Sequence, residues 1–366
     1  MIPLNAPSIG QLEEDYVLAA LRSGWVTIGP ACHDLEAAIR KHTGRTHAVL
    51  CSSGTAALYL ALRAIRVKQP SVLVPAYTCD AVSNAVIMAG LDLQVQDIEK
   101  DTFGLAYVDQ PPGTIGAVVL PATYGVLPAD TAYWETWCHR HGAVLIEDAS
   151  EAHGAVYRDG RRAGKLGDVT IMSFRGEKTV SGGQLGVVLT DNPEIASRAR
   201  QWSHNGLTCD LVRYWATEPG MNMQPSNLNA ALALAQLTRL DELVAKRNAV
   251  HDRWVNLFSD IGNPDVFQGS GPHTPAWWLT AVKADHFTRM LPQDLGTALE
   301  HKYGIQTRPG FYPIGYYPHV PNSMGSRFPI AEHLLRTLLV LPSGPTITLD
   351  QQEQVMRAIG QLTGAW

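Results

Sequence analysis

Ala143-Val144-Leu145-Ile146-Glu147-Asp148, followed downstream by Ser173-Phe174-Arg175-Gly176-Glu177-Lys178, is the stretch on which the fold turns. The first run reads as a buried strand that delivers two carboxylates at its end. A carboxylate in such a place is costly unless it is paired, so Asp148 marks a functional position. Lys178 stands thirty residues beyond Asp148, among small and polar neighbours. Most lysines are solvated surface groups, and one alone carries little weight. Here Gly176, Ser181, Gly182, Gly183 and Gly186 make a loop in which backbone must approach something closely.

Outward from this stretch, residues 46 to 190 alternate short apolar runs with amphipathic ones. The runs are His47–Leu50, Val72–Pro75, Leu93–Val95, Ala117–Leu120, Ala143–Ile146, Val169–Met172 and Val187–Leu189. Helical patterns such as Thr55–Leu62 lie between several of them. Strands alternating with helices predict an α/β fold with a mainly parallel central sheet sandwiched by helices. Ligands of such sheets bind at the carboxyl ends of strands, where Asp148 and the Ser52-Ser53-Gly54 turn fall. One long helix is predicted from Ser226, its N-cap, through Leu228, Leu232, Ala235, Leu240, Leu243 and Val250. It bridges to a smaller C-terminal α+β domain, which divides the chain into 1–240, N-terminal segment included, and 241–366. The second part carries a Gly/Pro-rich segment from Asn263-Pro264 to Pro275 and a strand at Trp277–Val282. A helix near Leu291–Tyr303, a Pro/Tyr-rich loop at Arg308–Pro321 and a C-terminal helix from about Asp350 follow.

Composition narrows the classes of function. The 366 residues are 45% hydrophobic and 17% charged, with a net charge of −5, as in an ordinary globular protein. Without a basic run, neither nucleic acid nor an anionic membrane surface is an expected partner. Five cysteines (Cys32, Cys51, Cys79, Cys138 and Cys209), odd in number and without a C-x-x-C pair, argue against a disulfide scaffold or a zinc site. Met1–Pro7 lacks a basic segment followed by an apolar one, and no apolar stretch is long enough to span a bilayer. A cytoplasmic protein is the expectation.

Several residues suit chemistry. Ser52-Ser53-Gly54-Thr55 follows an apolar strand and opens a helix, and free N–H groups there make a phosphate site, although a capped turn without a ligand has the same pattern. Ser173 reads in the same two ways. No His/Asp/Glu set at ligand spacing accompanies Asp148, so no metal is expected. His153 is either a supporting group or a hydrogen-bonded interior histidine. Taken together, Lys178, Asp148 and the serine-glycine turn suggest pyridoxal phosphate (PLP). A lysine amine can hold that cofactor as a Schiff base, and an aspartate can keep its ring nitrogen protonated.

At the level of motifs, the chain resembles the DegT/DnrJ/EryC1/StrS family of PLP-dependent sugar aminotransferases, which share the fold-type I architecture of aspartate aminotransferase. The resemblance runs from Pro3 to the C-terminal helix. It rests on Ser23–Thr27, Ser52–Leu58, Pro75-Ala76-Tyr77-Thr78 with Asn84-Ala85, Ile146–Gly154, Gly167-Asp168, Ser173-Phe174 with Lys178, His204-Asn205-Gly206 and Asn227–Ala230. It implies that Lys178 carries the cofactor and moves the proton, and that Asp148 pairs with the ring nitrogen. Glu151 stands where the family usually has Gln, near the cofactor's phenolic oxygen. Gly54, Thr55 and Ser173 would hold the phosphate beside Ser53. Asn227 would reach it from the partner subunit, which makes a homodimer part of the site.

Four positions depart from the family's pattern. Cys79 replaces an aromatic residue that stacks on the cofactor ring, and Gly183-Gln184-Leu185-Gly186 replaces G-E-G-G. Gln224 replaces a basic residue linked to nucleotide-sugar phosphates. The C-terminal loop reads Pro313-Ile314-Gly315-Tyr316-Tyr317 without the family's histidine. The implied activity is transfer of an amino group from an amino acid, by analogy glutamate, to a keto-deoxysugar on a nucleotide, for a surface polysaccharide or secondary metabolite. A cyclitol or other non-nucleotide ketone is the alternative acceptor. A sugar dehydratase is the alternative chemistry; the relatives compared have histidine in place of the lysine that this chain retains. A non-catalytic regulator would lack Lys178 or Asp148, and neither is missing.

Overall fold

Seven apolar runs fold as the seven strands of one sheet in a computed structural model that describes all residues except 108–113, 209–213, 263, 264, 270, 272 and 321–326. They are β1 (His47–Cys51), β2 (Ser71–Pro75), β3 (Asp92–Gln96), β4 (Ile115–Pro121), β5 (Val144–Asp148) and, after the two-residue β6 (Val156–Tyr157), β7 (Val169–Ser173) and β8 (Gly186–Thr190). Their order is β1-β8-β7-β5-β4-β2-β3. The strands from β7 through β3 are parallel, and β8 runs antiparallel to both β7 and β1. Every residue of β4, β7 and β8 is buried, because helices cover both faces and leave no polar side. The mainly parallel sandwich expected from the sequence is the one that forms.

Helices α1 (Gln11–Arg22) and α2 (Pro30–Thr43) precede the sheet; α3 (Gly54–Ala64), α4 (Asp80–Met88) and α5 (Thr131–His141) connect its strands, and α6 (Pro193–Ser203) follows β8. One core joins Leu35 of α2 and Trp134 of α5 to Leu120, Leu145 and Leu189. The other joins Leu58 of α3, Val86 of α4 and Ile195 of α6 to Val74, Val119 and Ile171. The helix predicted from Ser226 is two, α7 (Asn227–Thr238) and α8 (Leu240–Asp260). The break is Arg239, at φ −116° and ψ 26°, whose side chain reaches back to the Ser8 hydroxyl at 2.7 Å. Ser226 occupies the N-cap position without capping; its hydroxyl donates to the Val26 carbonyl at 3.2 Å.

Beyond α8, β9 (His273–Thr274) pairs with β6, and β10 (Thr280–Lys283), β11 (Arg308–Pro309) and β12 (Leu338–Leu341) form a second, antiparallel sheet in the order β10-β12-β11. Helices α9 (Pro292–Tyr303), α10 (Pro329–Thr337) and α11 (Leu349–Thr363) accompany it. Its core joins Trp254 and Phe258 of α8 to Leu299, Leu339 and Ile359. Ile2 packs into the same core and bridges to Ile305, so the first residues of the chain sit with this sheet.

The strand expected at Trp277–Val282 begins only at Thr280. Trp277 and Trp278 have other partners for their backbone groups: Asn248 Oδ1 accepts from Trp277 at 3.1 Å, and the Tyr124 carbonyl accepts from Trp278 at 2.9 Å. The Pro/Tyr-rich loop opens with β11 and holds a single 3-10 turn at Ile314–Tyr316. Its end at Pro321, the Asn263-Pro264 start of the Gly/Pro-rich segment, and Cys209 lie outside the described residues. Among the described residues no helix is long and apolar enough to cross a membrane.

Candidate active site

The strand that opened the sequence reading ends at a cavity of about 370 Å³ lined by Asp148, Glu151, Ser173, Lys178, Cys79 and the Ser53-Gly54-Thr55 turn. Successive side chains of β5 alternate between faces, so its two terminal carboxylates part company. Glu147 turns into the interior, where Tyr157, Thr170 and the N–H groups of Gly164 and Leu166 donate to it at 2.7–3.1 Å. Burial raises its pKa, and those donors oppose the shift. Asp148 faces the cavity and accepts the Ser150 N–H at 3.0 Å. Burial pushes its pKa up as well, opposed chiefly by Ser150 and also by the nearby Lys178.

At one side of the cavity stands the N-terminus of α3. Ser53 is extended, and its hydroxyl accepts from Ala56 at 3.1 Å. The N–H groups of Gly54 and Thr55 belong to the first turn, which has no intrahelical acceptor for them. Both residues line the cavity. A Cβ on Gly54 would stand 2.6 Å from Ser173 Cβ, and one on Gly186 would stand 2.2 Å from the Ser53 carbonyl oxygen. Only glycine lets Ser173 and strand β8 close on the turn. Two N–H groups, a helix N-terminus and two serines fit a phosphate, and a buried amine and a carboxylate border the same space.

That amine is Lys178 Nζ. It lies 3.3 Å from Glu151 Oε1 and 3.5 Å from the centroid of the Trp278 ring. Lys178 is 8% exposed and Glu151 7%, so the ion pair and the cation–π contact operate away from water. The other Glu151 oxygen accepts the Tyr124 N–H at 2.9 Å, from a residue held at φ 57°. Cys79 precedes α4, and burial pushes its thiol up to about 11, so it stays protonated at neutral pH. His153 lies behind the site: its Nε2 donates to the Ser173 carbonyl at 2.9 Å, and its ring meets the edge of Phe174. Burial lowers its pKa to about 3, which keeps it neutral. It is a hydrogen-bonded interior histidine that supports Ser173.

The cavity thus gathers Ser53, Gly54, Thr55, Cys79, Asp148, Glu151, Ser173 and Lys178. Asn227 is not in its lining. Asn227 opens α7, donates through Nδ2 to the Trp25 carbonyl at 2.8 Å and through its backbone to Thr27, and leaves a buried Oδ1 with no partner among the described residues. The lining also includes Trp278, Arg308 and Phe311, to which the sequence assigned no role. The Arg308 guanidinium carbon lies 5.6 Å from the Trp278 ring and 5.0 Å from Phe311, and its Nη2 is buried without a hydrogen-bond partner among the described residues. Trp278 reads as a strand residue by composition, and Arg308 sits in an irregular loop pattern. Neither carries a periodic signal that separates it from its neighbours.

The chain is similar to known proteins. The DegT/DnrJ/EryC1/StrS aminotransferase family model matches residues 7–360. Among solved structures, Helicobacter pylori PseC, an aminotransferase involved in the biosynthesis of pseudoaminic acid, superposes with a TM-score of 0.89 at 19% identity, covering 100% of both chains. S. venezuelae DesV gives 0.82 at 27% identity, over 96% of this chain and 94% of that one. NtdA of Bacillus subtilis, solved with bound PMP, gives 0.83 at 24% identity, over 97% and 83%.

Proposed function

Since the chain belongs to the DegT/DnrJ/EryC1/StrS aminotransferase family, we propose that this aminotransferase moves an amino group from an α-amino acid, glutamate first among them, to a keto-deoxysugar carried on a nucleotide. Its cofactor is pyridoxal 5′-phosphate. When bound, that group supplies an electrophilic carbonyl and an electron sink. The observation that carries the proposal is the buried Lys178 amine between Glu151 and Trp278, in one cavity with Asp148 and the Gly54-Thr55 turn.

Each residue then has a task that its own chemistry allows. Gly54, Thr55 and Ser173, with Ser53 shaping the turn, hold the phosphate through N–H and hydroxyl donors. Asp148 supplies a carboxylate to the ring nitrogen, where a positive partner offsets the desolvation that now raises its pKa. Lys178 would be the attachment point and, when its amine is free, the general base whose Nζ takes the α-proton of the donor and would deliver it to a different atom from the one it left. Glu151 Oε1 fixes that amine from 3.3 Å. Arg308, with a buried unpaired nitrogen, suits a donor carboxylate. Cys79 lines the same cavity, small and neutral, and would offer a bound cofactor no aromatic ring to stack on.

A homodimer completes the account. The unpaired Asn227 Oδ1 supports it, because a partner subunit's ligand would give that atom a hydrogen bond. A cyclitol ketone is the second reading of the acceptor. It is favoured by uncharged Gln224, which leaves that position without a cation for a diphosphate. To decide, the glutamate-treated protein is offered a panel of nucleotide-linked ketosugars and cyclitol ketones. Amination of the nucleotide-linked sugars supports the first reading; reaction with free cyclitols alone replaces it with the second.

A further inference from the structure

Arg247, on α8, is 2% exposed. Its Nη1 donates to the Trp278 carbonyl at 2.9 Å and to the Ser343 carbonyl at 3.3 Å. Its Nη2 lies 3.4 Å from the Lys178 carbonyl, 3.3 Å from the Glu177 carbonyl and 3.3 Å from Asn5 Oδ1. The Glu177 carbonyl also accepts from the Trp278 indole N–H and from Asn5 Nδ2, each at 2.8 Å. Thus the two residues whose side chains meet, Lys178 over the Trp278 ring at 3.5 Å, share one guanidinium at their backbones.

We infer that Arg247 is the positioning residue of the reactive lysine: it holds the main chains of Lys178 and Trp278 at the spacing that seats the amine on the indole face. The inference rests on Lys178 being the reactive amine. A buried cation is costly, and cations inside proteins usually face a carboxylate. The acceptors named here are neutral oxygens, and three of them belong to Glu177, Lys178 and Trp278. A planar guanidinium presents donors in a fixed fork, so the distance between the two carbonyls is set by a rigid body. A lysine at 247 keeps the charge but replaces the rigid two-nitrogen fork with a single nitrogen on a flexible stem.

The test uses full-length, cofactor-loaded Arg247→Met and Arg247→Lys proteins, with Asn5→Ala as a control that leaves the Lys178–Trp278 bridge in place. Well below the unfolding temperature, kcat should fall about 10²-fold in Arg247→Met, as expected for a displacement of about 1 Å, with donor KM near the parent value. Arg247→Lys should lie between, and Asn5→Ala near the parent. In cofactor-free protein, an amine-labelling reagent should modify Lys178 faster in both Arg247 variants, read by peptide mass spectrometry, because the amine leaves the indole face. Parental kcat and parental Lys178 labelling in either variant, with only a lowered Tm, would overturn the inference. If Arg247→Met fails to fold, Arg247→Lys reads the same quantities. A Lys178→Ala protein that still turned over would instead remove the reading on which the inference rests.

Discussion

Lys178 and Glu151 form a buried ion pair, Nζ to Oε1 at 3.3 Å, and the second Glu151 oxygen holds the Tyr124 N–H at 2.9 Å. The carboxylate therefore aims the amine and satisfies a strained backbone at once. Glu151→Gln keeps an oxygen for one of these contacts and should remain folded and active. Glu151→Leu leaves both donors unsatisfied, and a buried unpaired donor costs about 1–3 kcal/mol, more when charged. Melting temperatures and kcat of the two variants check this: equal values for Gln and Leu would mean the pair does nothing.

The turn at Gly54 makes a sharper demand. Gly54→Ala puts a methyl group 2.6 Å from Ser173 Cβ. Ser173 or the turn must then shift, and the phosphate loses its fit. Cofactor affinity should drop at least about tenfold, or about 1.4 kcal/mol, in a spectrophotometric titration. Retained affinity would show that the phosphate sits elsewhere.

Arg308 tests the donor side. Arg308→Gln removes a charge-assisted contact, so donor KM should rise about tenfold to a hundredfold, the effect of about 1.5–3 kcal/mol. Cofactor affinity should stay unchanged, since Arg308 is assigned to the substrate. A raised cofactor Kd with unchanged donor KM would reverse the assignment.

Acid should loosen the fold through buried histidines. His153 and His251 are both lowered by burial from 6.5 to about 3. A group whose folded pKa is depressed contributes stability above its unfolded pKa, and the contribution is lost as pH falls below 6.5 toward 3. Each histidine should cost about 2 kcal/mol between pH 6.5 and 5, at about 1.4 kcal/mol per pH unit. His251 stacks on Trp277 at 3.6 Å between ring centres, so His251→Phe keeps an aromatic ring there and removes the titration. Denaturant unfolding at pH 7 and pH 5 should show a smaller drop for the variant than for the parent; an equal drop would rule His251 out.

Much of the site was legible because its residues sit where one local rule decides. Asp148 ends an apolar run, Gly54 follows a serine before a helix, and Lys178 lies in a glycine loop. The rule explains Glu147 as well: alternation along β5 sends it inward while Asp148 faces the cavity. What escaped reading depends on distant partners. The helix breaks at Arg239, whose side chain reaches Ser8 far away in sequence. Trp278 leaves the predicted strand because Tyr124 and Arg247 take its backbone groups. Arg308 joins the cavity only once the second sheet packs beside the first. None of these contacts has a periodicity.

On the proposed function, Lys178 carries the cofactor and moves the proton. The decisive measurement is to reduce the cofactor-loaded protein with borohydride and locate the fixed cofactor by peptide mass spectrometry, before and after glutamate is added. The cofactor should be found on Lys178 alone before glutamate, and both the visible absorption and the fixable cofactor should be lost afterwards. Cofactor fixed on another lysine, or a visible band that no amino acid bleaches, would contradict that role of Lys178.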